Sequence, residues 1–98
     1  MTWTVVFHPK VLEKDLPRIP RAEQEKIVRA IERRLGLAPE SYGKPLRPPL
    51  SAFRRLRVGD YRVIYRVERS RVIVQVLCVG IRRDAEVYAE AARRLGTP

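Results

Sequence analysis

Residues 53–67 read FRRLRVGDYRVIYRV, and this segment carries the clearest structural pattern in the chain. It contains two runs rich in β-branched and aromatic residues, separated by a Gly-Asp dipeptide at positions 59 and 60. Such a dipeptide is typical of a two-residue β-hairpin turn. Because the turn fixes the strand register, the sequence predicts that Val58 lies opposite Tyr61 and Arg57 opposite Arg62.

The two faces of this hairpin differ in chemistry, because side chains alternate between faces along a strand. The apolar face is predicted to be core and carries Leu56, Val58, Tyr61, Val63 and Tyr65. The other face carries Arg55, Arg57 and Arg62, whereas Arg54 points to the core face. Like charges directly opposite each other are destabilising, so the pairing of Arg57 with Arg62 predicts an anionic ligand.

The remaining chain supplies the other elements of the predicted domain. Alternation, helical periodicity and turn residues predict strands at 2–7 and 71–79, and helices at 9–16, 21–35 and 84–95. Residues 37–52 hold four of the eight prolines and are predicted to be an irregular connector. The order β-α-α-β-β-β-α predicts one α+β domain over residues 1–98, with a mostly antiparallel sheet and the helices packed on one side.

The charge of the chain indicates a polyanionic partner. Lys and Arg number 21 against 11 acidic residues, a formal net charge of +10, and 17 of the 21 cations are arginine. Residues 52–83 alone hold nine arginines and two acids. This charge is compatible with nucleic acid, an anionic membrane surface or an acidic protein as the partner, and arginine in particular pairs bidentately with phosphate.

The same counts exclude several chemistries. One Cys and one His cannot form a disulfide, a CxxC redox pair or a Cys/His zinc cluster, and we expect no metal and no cofactor. No apolar run approaches the length of about 18 residues that a membrane span needs. We therefore expect a cytoplasmic protein that does not bind membranes.

Two segments of the chain resemble a known family. The stretch RLRVGDYRVIYRV at 55–67 and the stretch VGIRRDAEVY at 79–88 are similar to the RelE branch of the RelE/ParE toxin superfamily. The resemblance implies the toxin of a type II toxin-antitoxin system that cuts messenger RNA in the ribosomal A site. It also implies two partners, the ribosome with its message and a small, acidic, RelB-like antitoxin.

The resemblance further implies roles for individual residues. It makes Arg55 and Arg57 phosphate-binding residues, Arg62 and Arg82 arginines of the catalytic group, and Tyr88 the late tyrosine of the site. Arg54 and Arg83 are added as possible RNA contacts. One departure stands out, because the family commonly has a lysine at the position occupied here by Phe53.

The chemistry of RNA cleavage agrees with these assignments. Attack of a 2′-hydroxyl on the adjacent phosphate needs a proton acceptor, a proton donor for the leaving oxygen, and positive charge for the phosphorane. With one His and no acidic cluster for a metal, Tyr, Lys and Arg remain available. The hypothesis is a metal-independent endoribonuclease with Tyr88 as base and Arg82 as acid or stabilising cation.

Two other functions fit the same sequence. A ParE-like toxin of this fold would inhibit DNA gyrase by binding, without nuclease activity. A plain RNA-binding module would lack activity altogether, although no RNP-type motif supports it. Tyr88 also has a simpler interpretation, as an amphipathic residue on the apolar stripe of the last helix.

Overall fold

The computed structural model describes residues 2–81 and 86–95. Its strands and helices are β1 Thr4–Phe7, α1 Arg21–Ala30, β2 Lys44–Pro45, β3 Arg54–Val58, β4 Tyr61–Glu68, β5 Ile73–Ile81 and α2 Glu86–Arg94. Shorter helical turns lie at Val11–Asp15, Leu16–Arg18 and Arg69–Arg71, and a wider turn, Ile31–Leu35, extends α1. None of the helices in the described residues is long and apolar enough to cross a membrane.

The five strands form one sheet in the order β1-β5-β4-β3-β2. β1 runs parallel to β5, and every other neighbouring pair is antiparallel. The predicted hairpin register is confirmed, with Arg57 opposite Arg62 and Val58 opposite Tyr61. The α+β class and the mostly antiparallel sheet are also confirmed.

The helices cover both faces of the sheet. Ile27, Ile31 and Leu35 from α1 and its extension share a buried cluster with Leu56, Val63 and Tyr65. A second cluster joins Val87 and Ala91 of α2 to Ile64 and Cys78. Since Ile64 lies between Val63 and Tyr65 on β4, it points to the opposite face. The prediction that all helices pack on one side is therefore wrong, because the central strands are apolar on both faces and both need cover.

The connector, residues 37–52, contains more structure than its composition indicates. Within it β2 pairs with β3, so that Lys44 lies opposite Arg55. Gly43 has a φ of +72°, and a Cβ there would lie 2.5 Å from the carbonyl oxygen of Arg55. Only glycine fits such a close approach with a left-handed backbone.

A buried ion pair between Arg94 and Asp15 links α2 to the part of the β5 edge that has no neighbouring strand. β1 ends opposite Val76, so the edge of β5 beyond that residue has no neighbouring strand. Arg94, which is 2% exposed, donates to both carboxylate oxygens of Asp15 at 2.7 Å and to the carbonyl of Leu77 at 3.0 Å. Asp15 in turn accepts from the backbone N–H of Val79 at 2.9 Å. This network ties α2 to the N-terminal half of the chain.

Candidate functional site

The candidate site forms where α2 crosses the hairpin. Arg55 Nη1 donates to Tyr88 Oη at 3.2 Å, and Arg62 Nη1 donates to the same oxygen. The Arg62 guanidinium also lies 5.5 Å from the centre of the Tyr88 ring, in cation–π contact. Three of the predicted site residues, more than 25 positions apart between hairpin and helix, are thus brought together.

The face of the hairpin that carries Arg55, Arg57 and Arg62 is called here the arginine face. Arg57 lies opposite Arg62 and is exposed to solvent. Within residues 2–81 and 86–95, no carboxylate forms an ion pair with any of these three arginines. Their mutual repulsion favours an anion at this face, as the sequence predicted.

Arginines at the other end of the sheet are neutralised. Arg66 and Arg71 form ion pairs with Glu68 at 2.8 and 3.4 Å, and Arg69 pairs with Glu40. The described cations of β4 and its following turn therefore divide into a paired group and an unpaired one. Among the described arginines of β4 and that turn, Arg62, the one next to the Gly59-Asp60 turn, has no ion pair.

A groove of about 620 Å³ opens beside Tyr88 and is called here the site groove. One wall is the proline-rich run of residues 44–50, and the other is formed by Ala89 and Ala92 of α2. Arg55, Arg62 and Tyr88 line it as well. A ligand in this groove would contact both cationic and apolar side chains.

Lys44 is a site residue that sequence reasoning missed. It lines the site groove and lies opposite Arg55 across the β2–β3 pairing. The signal was weak, because β2 has only two residues and the second is proline. A lysine inside a proline-rich connector carries no periodicity that would place it beside an arginine of another strand.

The remaining predicted site residues do not join the cluster. Arg54 lies opposite Tyr65, on the α1 face of the sheet and away from Arg55, and its role as an RNA contact stays a prediction. Arg82 and Arg83 lie outside the described residues. Phe53 is 6% exposed and packs in the α2-side core, so it takes no part in binding from that position.

No group of three or more His, Cys, Asp or Glu lies together in the described part of the chain. Burial raises the pKa of the Cys78 thiol to about 12, and the side chain is packed among apolar residues. The thiol is therefore protonated at neutral pH and acts as a small apolar side chain, as predicted.

Comparison with known proteins identifies relatives along most of the chain. The family described as ParE toxin of type II toxin-antitoxin system, parDE, matches residues 5–86. The Escherichia coli K12 protein named mRNA interferase toxin RelE is 44% identical over 41 residues, which are 42% of this chain and 43% of that relative. The chain thus spans less than half the length of this curated relative.

Solved structures show the same fold. The toxin-antitoxin complex RelBE2 from Mycobacterium tuberculosis contains a chain 31% identical in sequence with a TM-score of 0.78, and the match covers 86% of this chain and 95% of that one. A chain of the archaeal RelE-RelB complex from Pyrococcus horikoshii is 26% identical with a TM-score of 0.63, covering 87% and 100%.

Proposed function

The chain belongs to the ParE toxin family, in the RelE/ParE superfamily of type II toxin-antitoxin toxins, and on this premise we propose that it is an endonuclease that cuts messenger RNA on the ribosome. The observation that carries the proposal is the Tyr88 oxygen held by the guanidinium groups of Arg55 and Arg62 at the site groove. A phosphate bound by these two arginines lies next to an oxygen able to exchange protons.

The proposed reaction needs no group beyond the side chains and the RNA. Tyr88 acts as the general base: its hydroxyl oxygen accepts the proton of a ribose 2′-hydroxyl, whose oxygen bonds to the adjacent phosphorus. Arg55, Arg57 and Arg62 stabilise the added negative charge of the phosphorane. The bond from phosphorus to the 5′-oxygen then breaks, and that oxygen takes a proton, leaving a 2′,3′-cyclic phosphate and a 5′-hydroxyl. Arg82 as the donor of that proton remains a prediction.

The small number of catalytic groups in this site explains why the proposed nuclease would depend on the ribosome. An arginine and tyrosine site supplies positive charge and one proton acceptor but no strong base at neutral pH. Correct placement of the 2′-hydroxyl in line with the leaving oxygen must then supply a large part of the rate enhancement. A ribosome-bound message provides an RNA strand held in one conformation.

We further propose that the partner of this toxin is a small, acidic, RelB-like antitoxin. Two of the related solved structures are toxin-antitoxin complexes. The net charge of +10 and the unpaired arginine face favour an acidic segment as the ligand that blocks RNA binding.

A Tyr88→Phe variant tests the nuclease. Losing a general base lowers a rate by about 10²- to 10⁴-fold, so primer extension on a translated message should show breaks with the wild type and almost none with the variant. Ribosome binding should be unchanged. Tyr42→Phe is the matched control, because Tyr42 is exposed and lies outside the site groove. Equal cutting by wild type and Tyr88→Phe would contradict the assignment.

Inhibition of DNA gyrase is the second candidate function, favoured by the match to a family described as ParE. It predicts intact message in the translation reaction and loss of supercoiling when gyrase is assayed with the purified chain. Message breaks together with normal supercoiling exclude it.

A further inference from the structure

Lys44 lies on the same side of the sheet as the arginine face. Residues directly opposite each other in an antiparallel pair project to one face, and Lys44 lies opposite Arg55. Its side chain is exposed and lines the site groove with Arg55, Arg62 and Tyr88. The described residues offer it no carboxylate partner.

This arrangement gives the sheet two cross-strand pairs of like charge, Lys44 with Arg55 and Arg57 with Arg62. Each pair is unfavourable in the free protein. The β2–β3 pairing nevertheless places the backbone of Lys44 beside Arg55, and Gly43 allows the close approach to the Arg55 carbonyl. A cation held in place against repulsion is suited to a ligand that carries more than one negative charge.

The walls of the site groove indicate that its ligand also has an apolar part. Residues 45–50 contribute three prolines, two leucines and the exposed Arg47, and α2 contributes Ala89 and Ala92, so the walls are mostly apolar. A site for phosphate alone would have polar walls, whereas these surfaces fit a flat apolar ring. The volume of about 620 Å³ is within the range of roughly 300–1,000 Å³ typical of small-ligand sites.

We propose that the site groove binds one nucleotide of the message beside the scissile phosphate. Lys44 binds the phosphate next to the one held by Arg55 and Arg62, and the base packs between the proline-rich wall and Ala89 and Ala92. This subsite rests on the proposed nuclease function. Lys44 thereby supplies, from another strand, a positive charge that the buried Phe53 position does not provide.

The proposed contact between Lys44 and a phosphate is tested by Lys44→Ala. Lys26→Ala is the control, because Lys26 is an exposed lysine of α1 outside the site groove. Cleavage is measured against toxin concentration at several salt concentrations. We expect Lys44→Ala to raise the half-maximal concentration about fivefold, and to reduce the slope of log affinity against log salt by about 0.7.

Lys44→Arg should restore both the affinity and the salt slope, because it keeps the charge. A merely structural role for Lys44 would change the melting temperature and leave the salt slope at the wild-type value. An unchanged half-maximal concentration and slope in Lys44→Ala would overturn the phosphate contact.

The apolar wall is tested by Ala89→Leu, which fills the groove from an exposed position of α2, with Ala22→Leu as control on the exposed surface of α1. We expect Ala89→Leu to weaken binding of a labelled single-stranded octaribonucleotide about tenfold, while Ala22→Leu binds like the wild type. Equal binding by both variants would overturn the base contact.

The two proposals fail in different ways. A wild-type chain that leaves the message intact on ribosomes contradicts the nuclease, and direct binding of the octaribonucleotide then still decides whether Lys44 and Ala89 contact RNA. A wild type that cuts, accompanied by Lys44→Ala and Ala89→Leu variants that cut with the same concentration dependence, contradicts only the subsite.

Discussion

Tyr65 links the sheet to the connector that carries Lys44. Its side chain is completely buried, and its hydroxyl lies 2.8 and 2.6 Å from the carbonyl oxygens of Pro39 and Tyr42. Burial raises the pKa of Tyr65 to about 12, partly offset by the nearby Arg54. The hydroxyl therefore stays protonated and donates a hydrogen bond to the connector carbonyls of Pro39 and Tyr42. The sequence predicted only apolar packing for this residue.

A Tyr65→Phe variant should lose about 1–2 kcal/mol of unfolding free energy near pH 8, because connector carbonyls lose a buried donor. The Tyr65 pKa is raised from 10.0 unfolded to about 12 folded, so its contribution is complete below pH 10 and is lost as pH rises toward 12. Urea unfolding across this range should show the difference between wild type and variant narrowing. Tyr42→Phe should track the wild type throughout, and a constant difference for Tyr65→Phe would contradict the explanation.

At the scale of elements, the position of Tyr88 depends on how α2 sits on β5. Val87 and Ala91 fill the core beside Ile64. A Cβ at Gly80 would lie 2.9 Å from Val87 Cγ2, so the absence of a side chain there allows the helix to pack closely. This contact gives a structural reason for glycine in the segment VGIRRDAEVY. The apolar stripe of the helix was predictable, whereas the burial of Arg94 was not, because its partner Asp15 is 79 residues away.

A Gly80→Ala variant should lower the unfolding free energy by about 1–3 kcal/mol through overpacking, and should reduce message cleavage by moving Tyr88. In a chain that already carries Val87→Ala, the same substitution should cost less, since Cγ2 of Val87 is removed while its Cβ, 3.0 Å from the added methyl group, remains. A double-mutant cycle of chemical unfolding measures this coupling. Additive effects of the two substitutions would show that Gly80 matters for another reason.

Across the whole molecule, positive charge is divided between paired and unpaired arginines. Arg66, Arg69 and Arg71 have carboxylate partners at one end of β4, and the arginine face has none among residues 2–81 and 86–95. Composition predicted a polyanion ligand but could not distinguish these two groups, because Glu40 reaches Arg69 only through the folded connector.

The difference between arginines with and without a carboxylate partner predicts different effects for two exposed arginines. Arg57→Ala should weaken RNA binding several-fold and reduce the salt slope by about 0.7, because a phosphate contact is lost. Arg71→Ala should change neither value, since Arg71 pairs with Glu68 at the far end of the strand. Fluorescence titration with a labelled single-stranded RNA at increasing salt measures both. Equal losses for the two variants would indicate a diffuse effect of net charge.

The hairpin, its register and the separation of its apolar face from its arginine face were predictable from the residues, because a two-residue turn and the alternation of a strand are local rules. The tertiary structure alone decided that α2 lies across the sheet from α1, that Lys44 joins Arg55, and that Asp15 holds Arg94. Each of these three arrangements joins segments that are distant in the chain. Which segments pair or pack together depends on the packing of the whole core, so local sequence rules do not predict it. Strand alternation predicted which face of the hairpin carries the arginines, and the folded structure decided which residues lie beside them.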